Sequence, residues 1–466
     1  MNFGVLDFLQ LSRRSHNCRL EKVVTRRVRP PASIAEVPCK RYCGFRRCAI
    51  TPQAVTPADC RECRSHEVLS GIIQDEQGRS FPVVDGVPQF ARGIASQGDT
   101  RIVEIDFRAD PRVDAFVDSC SDGLIFHQPG WMETLSHEYK QECLVLGVED
   151  REGRLKGILP MFYTRGLPFN IGTQQTGRRL ACLPRTPMAG PLAVDEASLG
   201  TLLQSVIERV RPEHGVQLQL KTAQSLPAVD GLFRTSWRST YVLSLPETSQ
   251  QLRFGDARSR HQLKWAVKKA EGLGLRVREA QSETELRQWY RLYLETMRRN
   301  VALARPYRFF LAQWKHLRPF GMMKLLLAEQ LAGTKSRLVA GSVFLSGGKT
   351  VFYAFTGCHA ADLGLHPNDL TLWHAIHQAC AQGYRHFDFG EVPDEHPELV
   401  RFKTKWGARP IPQYRYYSAA VPARDARVVL NVEPSKAAQR LWIEKMWQSL
   451  PLAATSTAAD WIYSFL

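Results

Sequence analysis

The stretch from Leu338 to Gly390 constrains the fold more than any other part of the chain. Val339, Gly341, Val343 and Leu345 alternate ahead of Ser346-Gly347-Gly348, and Val351, Tyr353 and Phe355 alternate behind it. A period of two on either side of a glycine turn predicts a hairpin of two half-buried strands. Pro367, Asn368 and Asp369 then supply helix-start chemistry, and Leu370, Trp373, Ala375, Ile376 and Ala379 fall on one helical face. Gly383 stops that helix, and His386-Phe387-Asp388-Phe389-Gly390 reads as a short strand ended by a glycine. Strand, strand, helix, strand in this order predicts mixed α/β sheets.

At 466 residues the chain exceeds one hydrophobic core, and two or three domains are expected. A hydrophobic content of 44%, with 10 Trp and 22 Phe, is ample for burial and marks a globular protein. No apolar run approaches the roughly 18 residues of a membrane span, and the first residues lack a secretory h-region. A cytoplasmic location without a transmembrane segment is therefore expected. The 11 cysteines, widely spaced from Cys120 onward, suit reduced thiols better than a disulfide framework. Residues 1–48 hold eleven Lys/Arg against three Asp/Glu, half of the formal +16. That basic start suits contact with nucleic acid, anionic lipid or a phosphorylated partner, or is a solvated extension.

Five segments follow from the patterning: a basic tail over 1–35, a Cys-rich unit over 36–95, α/β units over 100–247 and 248–422, and a helical tail over 423–466. The two α/β units read as copies of one design. In the first, Leu144–Val148 and Gly157–Met161 form a hairpin about Arg151-Glu152-Gly153, followed by a helix from Glu196 and a strand over Val216–Leu220. In the second, Lys324–Ala328 and Val339–Leu345 pair, and the helix and strand described above complete the copy. Two such units side by side leave a cleft at their junction.

Ordered short matches across residues 100–420 carry a family resemblance. They are Phe126-His127-Gln128-Pro129-Gly130-Trp131, Gly157-Ile158-Leu159-Pro160, the basic helix Arg258 to Ala270, Pro367-Asn368 with Trp373, Asp388-Phe389-Gly390, and Phe402-Lys403-Thr404-Lys405-Trp406-Gly407. Together they resemble the FemAB-like branch of the GNAT acyltransferases, which are built as tandem GNAT units. The resemblance implies transfer of an acyl or aminoacyl group onto an amine of a cell-envelope precursor, in peptidoglycan or exopolysaccharide chemistry. Ordinary acetyl-CoA-dependent members carry a Gln/Arg-x-x-Gly-x-Gly/Ala loop, and Thr356 to Gly364 does not fit it. That leaves aminoacyl-tRNA or acyl-CoA open as donor.

An amide-forming acyl transfer needs two reactants held in line and a stabilised oxyanion, with no nucleophilic side chain. The resemblance places Lys403 at the transfer centre, where its cation would stabilise the developing oxyanion, with Phe402 packing beneath it. Asp388, at the end of a core strand, or Glu391 just past the turn, is the candidate for the amine proton. Arg260, Lys264 and Lys268 recur every fourth residue and form one cationic helix face, suited to a phosphate-bearing envelope or polysaccharide precursor or to tRNA. Tyr353, Trp373, Lys405 and Asn368 complete the substrate-binding candidates, Asn368 as a helix start that could receive a donor phosphate. A catalytically idle scaffold that binds RNA or an envelope complex through its basic tail and ribbon is the alternative from another class, and peripheral contact with the inner membrane face is a further expected partner.

In the Cys-rich unit, Cys60-Arg61-Glu62-Cys63 is a metal-type pair, and the run Phe81-Pro82-Val83-Val84-Asp85-Gly86-Val87-Pro88 resembles the end of small zinc ribbons. Cys43, Cys48, Cys60 and Cys63 supply four thiolates for a tetrahedral Zn site, or the module is a ribbon without metal. The expected architecture is tandem GNAT-like domains behind a zinc-ribbon-like module.

Overall fold

The computed structural model describes residues 100–164, 179–210, 216–227, 229–332, 335–393 and 396–418, four N-terminal strands, and residues 449, 451–452 and 454–457. The chain divides into two compact units, Met1–Ala95 and Ser96–Leu466. In the N-terminal unit, β1 (Arg19–Arg27), β2 (His66–Gln74), β3 (Ser80–Val84) and β4 (Val87–Pro88) form an antiparallel sheet in that order. β1 lies inside the stretch expected to be a tail, and its partner is β2, some forty residues downstream. Cys43, Cys48, Cys60 and Cys63 lie outside the described residues, as do Trp442 to Trp447 of the expected helical tail.

The larger unit opens with β5 (Thr100–Ile105), α1 (Arg112–Ser119), α2 (Pro129–Tyr139), β6 (Cys143–Asp150), β7 (Leu155–Thr164), β8 (Arg179–Ala181), β9 (Leu192–Ala193), α3 (Glu196–Arg209), β10 (Gln217–Thr222), β11 (Phe233–Ser236) and β12 (Thr240–Ser244). It continues with α4 (Ala257–Gly272), β13 (Leu275–Glu279), α5 (Glu283–Arg299), α6 (Tyr307–His316), β14 (Met323–Ala332), β15 (Lys335–Gly347), β16 (Thr350–Cys358), α7 (Pro367–Ala381), β17 (His386–Glu391), α8 (Pro397–Lys405), β18 (Arg409–Ile411) and β19 (Tyr414–Tyr417). These strands make two mixed sheets, ordered β11-β19-β10-β8-β7-β6-β5 and β13-β14-β15-β16-β17-β12-β18. Each is a meander of antiparallel strands followed by one parallel pair, β8 with β10 and β16 with β17. A helix fills each parallel crossover, α3 in the first half and α7 in the second, and this is the expected duplicated plan.

Two strands cross between the halves. β12 precedes residue 247 yet pairs with β17 of the second sheet, while β19 returns from the chain's far end to pair with β10 of the first. The hairpin β15–β16 is not half-buried as its alternation suggested: β15 is buried continuously from Val339 to Ser346. Both of its faces are covered. Leu372, Ala375, Ile376 and Ala379 of α7 join Phe344 and Val351 in one core cluster. On the other face Tyr293 of α5 and Phe309 and Phe310 of α6 pack edge-on around Phe355, and Trp289 of α5 packs edge-on against Phe310.

The halves are fastened where α2 lies on α6. Gly130 sits against the backbone there; a Cβ added to it would come within 2.6 Å of the His316 carbonyl oxygen. Beside it the fully buried Glu138 carboxylate accepts from the Arg305 guanidinium at 2.5 Å, a pair that joins one half to the other. Among the described residues, no helix is long and apolar enough to cross a membrane.

Candidate active site

β16 and β17 stay paired only through Thr350↔His386, Val351↔Phe387 and Phe352↔Asp388. β16 runs on to Cys358 and β17 to Glu391, so the strands part at Phe352 and Asp388. A cavity of about 560 Å³ opens in the gap, walled by Phe352 to Phe355 of β16 and Asp388 to Glu391 of β17. The first half closes its far side with Phe126, Trp131, Arg179, Lys221 and the 184–187 turn. A second cavity, of about 680 Å³, reaches the same point from another direction past His127, Gly190, Thr222 and His386. Phe352 and Asp388 line both. Two reactants entering separately would meet at Asp388.

Asp388 is buried at the end of β17. Its Oδ1 accepts from the Thr240 hydroxyl at 2.5 Å and from the Gly390 amide at 2.6 Å. Burial raises its pKa to about 6, opposed by those hydrogen bonds and by the Lys403 charge. A carboxyl poised there takes up a proton near neutral pH far more readily than an ordinary aspartate does. Gly390, at φ +80°, takes the left-handed turn that a side chain would strain. Glu391 follows into the cavity wall: its Oε1 accepts from Arg415 at 2.9 Å and its Oε2 from the Trp237 indole at 3.0 Å.

Lys403 and Phe402 lie on α8. The buried Lys403 ammonium donates to the Gly390 and Glu391 carbonyls at 2.8 and 3.0 Å, and burial lowers its pKa to about 8. It stands behind the strand end and is absent from both cavity walls. It clamps the β17 terminus. Phe402 is half-buried against the core cluster, with the Lys405 ammonium 5.4 Å from its ring.

The other sequence candidates divide. Tyr353 lines the cavity and stacks on Phe344. Trp373 packs between Phe254 and His377, away from either cavity. Arg260, Lys264 and Lys268 sit on the outer side of α4, whose inner side buries Leu263, Ala266, Val267 and Ala270, and none of the three lines a cavity. Asn368 is not the cap of α7: His366, in the left-handed region, precedes Pro367 at the first position. The same turn already holds a carboxylate, Asp369, which Lys405 grips at 2.8 Å.

The cleft's own cations escaped the sequence reading. Arg179, Arg185, Lys221, Arg238, Arg305 and Arg415 line the first cavity against the two acids Asp388 and Glu391. Lys221 donates to the Leu183 and Thr186 carbonyls at 2.8 and 3.0 Å, and burial, with Arg415 nearby, lowers its pKa to about 7. Arg179 points a buried Nε that meets no described partner, and burial lowers its pKa. Such an excess favours an anionic ligand.

Residues 257–403, from the start of α4 to Lys403, match the family model of an acetyltransferase (GNAT) domain. That segment, which carries β13 to β17, is thereby a GNAT-type acetyltransferase domain. The solved structure of FemX shares this fold, with a TM-score of 0.53 and 16% identity over 68% of this chain and 96% of FemX. The C-terminal domain of a putative lysylphosphatidylglycerol synthetase from Agrobacterium fabrum overlaps 68% of this chain and 92% of its own, at 14% identity and a TM-score of 0.46. L-PGS from Bacillus licheniformis does so over 68% and 95%, at 13% and 0.45. No curated protein matches the sequence.

Proposed function

We propose that the cleft forms an amide by moving an aminoacyl group from charged tRNA onto an amine of a phosphate-bearing cell-envelope or exopolysaccharide precursor. The observation that carries this reading is the meeting of two cavities at Asp388, where β16 and β17 part. Acyl donor and amine acceptor would approach along separate arms. The Asp388 carboxylate takes the proton as the amine nitrogen attacks the acyl carbon, and the C–O bond to the donor breaks as the proton passes to the leaving oxygen. β16 amides beyond Phe352 face the developing oxyanion, where one good donor contributes about 3–4 kcal/mol. Glu391, fixed by Arg415 and Trp237, orients the amine, and Lys403 holds the strand end that carries both acids.

The cavity cations would hold the acceptor's phosphate, and the α4 face with its half-exposed Trp265 would hold the tRNA backbone. The donor reading is supported by the Thr356 to Gly364 segment, which does not fit the loop that wraps a coenzyme A pyrophosphate in ordinary acetyl-CoA-dependent members. Work on such precursors would take place in the cytoplasm, at the inner membrane face. The test is a transfer assay with charged tRNA and acyl-CoA offered separately to the protein with a phosphorylated amine acceptor. Product from charged tRNA alone is expected. Product from acyl-CoA alone would overturn the donor, and none from either would leave a binding scaffold.

A further inference from the structure

The seam between the two halves carries a cluster that acyl transfer does not use. Glu133 and His137 are one turn apart on α2, and the Glu133 Oε1 lies 3.3 Å from the His137 Nε2. His316 closes α6, and its ring stacks on that of His137 with centroids 5.3 Å apart and 19° between planes. One ligand atom from each of the three lies within 4.8 Å of the others. We propose that Glu133, His137 and His316 form a divalent transition-metal site that ties α2 to α6.

A tetrahedral zinc with bonds of about 2.0–2.1 Å has ligand–ligand edges of roughly 3.3 Å. The Glu133–His137 edge already has that length, and a rotation of His316 toward it closes the other two. Two imidazoles and a carboxylate suit Zn²⁺, Co²⁺ or Ni²⁺ and are a poor set for Ca²⁺ or Mg²⁺. The exposed side of His137 leaves a fourth position for water.

The surroundings fit a ligand set. Arg108 binds the other oxygen of Glu133, Oε2, at 2.6 Å and reaches Glu142 at 2.7 Å, so Oε1 stays directed at His137. The His316 imidazole makes no hydrogen bond to any described residue. Gly130 brings the His316 backbone against α2. The ligands thus come from both halves, beside the Glu138–Arg305 pair, and a bound metal would lock the seam along one wall of the cleft.

The experiment uses the full chain, stripped with chelator and titrated with Co²⁺. Visible spectra separate nitrogen–oxygen ligation from the thiolate charge-transfer band that cysteine ligands elsewhere would give. We expect one cobalt without that band and a melting temperature that rises on its addition. In His137→Ala and His316→Ala affinity for that cobalt should fall more than tenfold and the melting shift should vanish, with metal-free melting close to wild type. Glu133→Gln, which keeps a carbonyl oxygen for Arg108, should weaken binding without changing metal-free melting. Unchanged cobalt uptake in the variants, or uptake with thiolate bands alone, would overturn the site.

Discussion

At the scale of residues, Asp388 makes the sharpest claim. A base with a pKa of about 6 gives kcat/KM an acid limb near that pH, with activity rising as the carboxyl ionises. Asp388→Asn keeps an oxygen for Thr240 and Gly390 but cannot take a proton, so the limb should disappear and kcat should fall about 10²–10⁴-fold. The folded pKa lies above the unfolded value of 3.8, so this group favours folding below that value and loses the contribution as pH rises through about 6. The variant should therefore melt no lower than wild type at pH 8, which separates a lost base from a lost fold. Lys403 differs. Lys403→Ala leaves two carbonyls of the β17 end without their donor, and should lower both kcat and the melting temperature. Lost activity at full stability would instead return Lys403 to the oxyanion itself.

At the scale of elements, the legible parts were those written locally. The glycine turn between β15 and β16, the proline start of α7 and the Asp388-Phe389-Gly390 strand end are each signalled by residues adjacent in the chain, as where the Gly390 amide donates to Asp388 two positions before it. The cleft cations were illegible for the opposite reason. Lys221 follows Gln217 and Gln219 on alternate positions of β10, which reads as an ordinary wet strand face until another element covers it. The 183–186 turn takes the Lys221 ammonium, and β19, pairing alongside, sets Arg415 across from Lys221 after nearly two hundred intervening residues. One charge among Tyr414, Tyr416 and Tyr417 was the available signal. Arg415 is buried, its guanidinium shared between Glu391 and the Pro187 carbonyl. Arg415→Ala should cost about 3–5 kcal/mol in denaturant unfolding, since Glu391 would be left without its cation. Gly130→Ala should cost about 1–3 kcal/mol by prising α2 from α6, a change read in the same unfolding experiment.

At the scale of the molecule, strand exchange decides whether two GNAT-type halves can exist apart. A boundary read from the linear pattern at 247/248 gives each half a self-sufficient sheet. The pairing does not: the first sheet lacks β19 without the chain's far end, and the second lacks β12 without the segment before the boundary. Removing β19 from the first half would bare β10 as an open edge and remove the buried Tyr416 and Tyr417 from its core. Separating the halves would also strand Glu138, whose buried carboxylate needs Arg305 from the other half. The unit spanning 96–466 should accordingly unfold in calorimetry as one transition, with calorimetric and van't Hoff enthalpies in agreement. A fragment ending at residue 247 should show no cooperative transition of its own, and adding the complementary fragment should restore one. Two separate transitions in the intact chain would mean that the exchanged strands contribute little, and that the cleft between the halves can open without unfolding either.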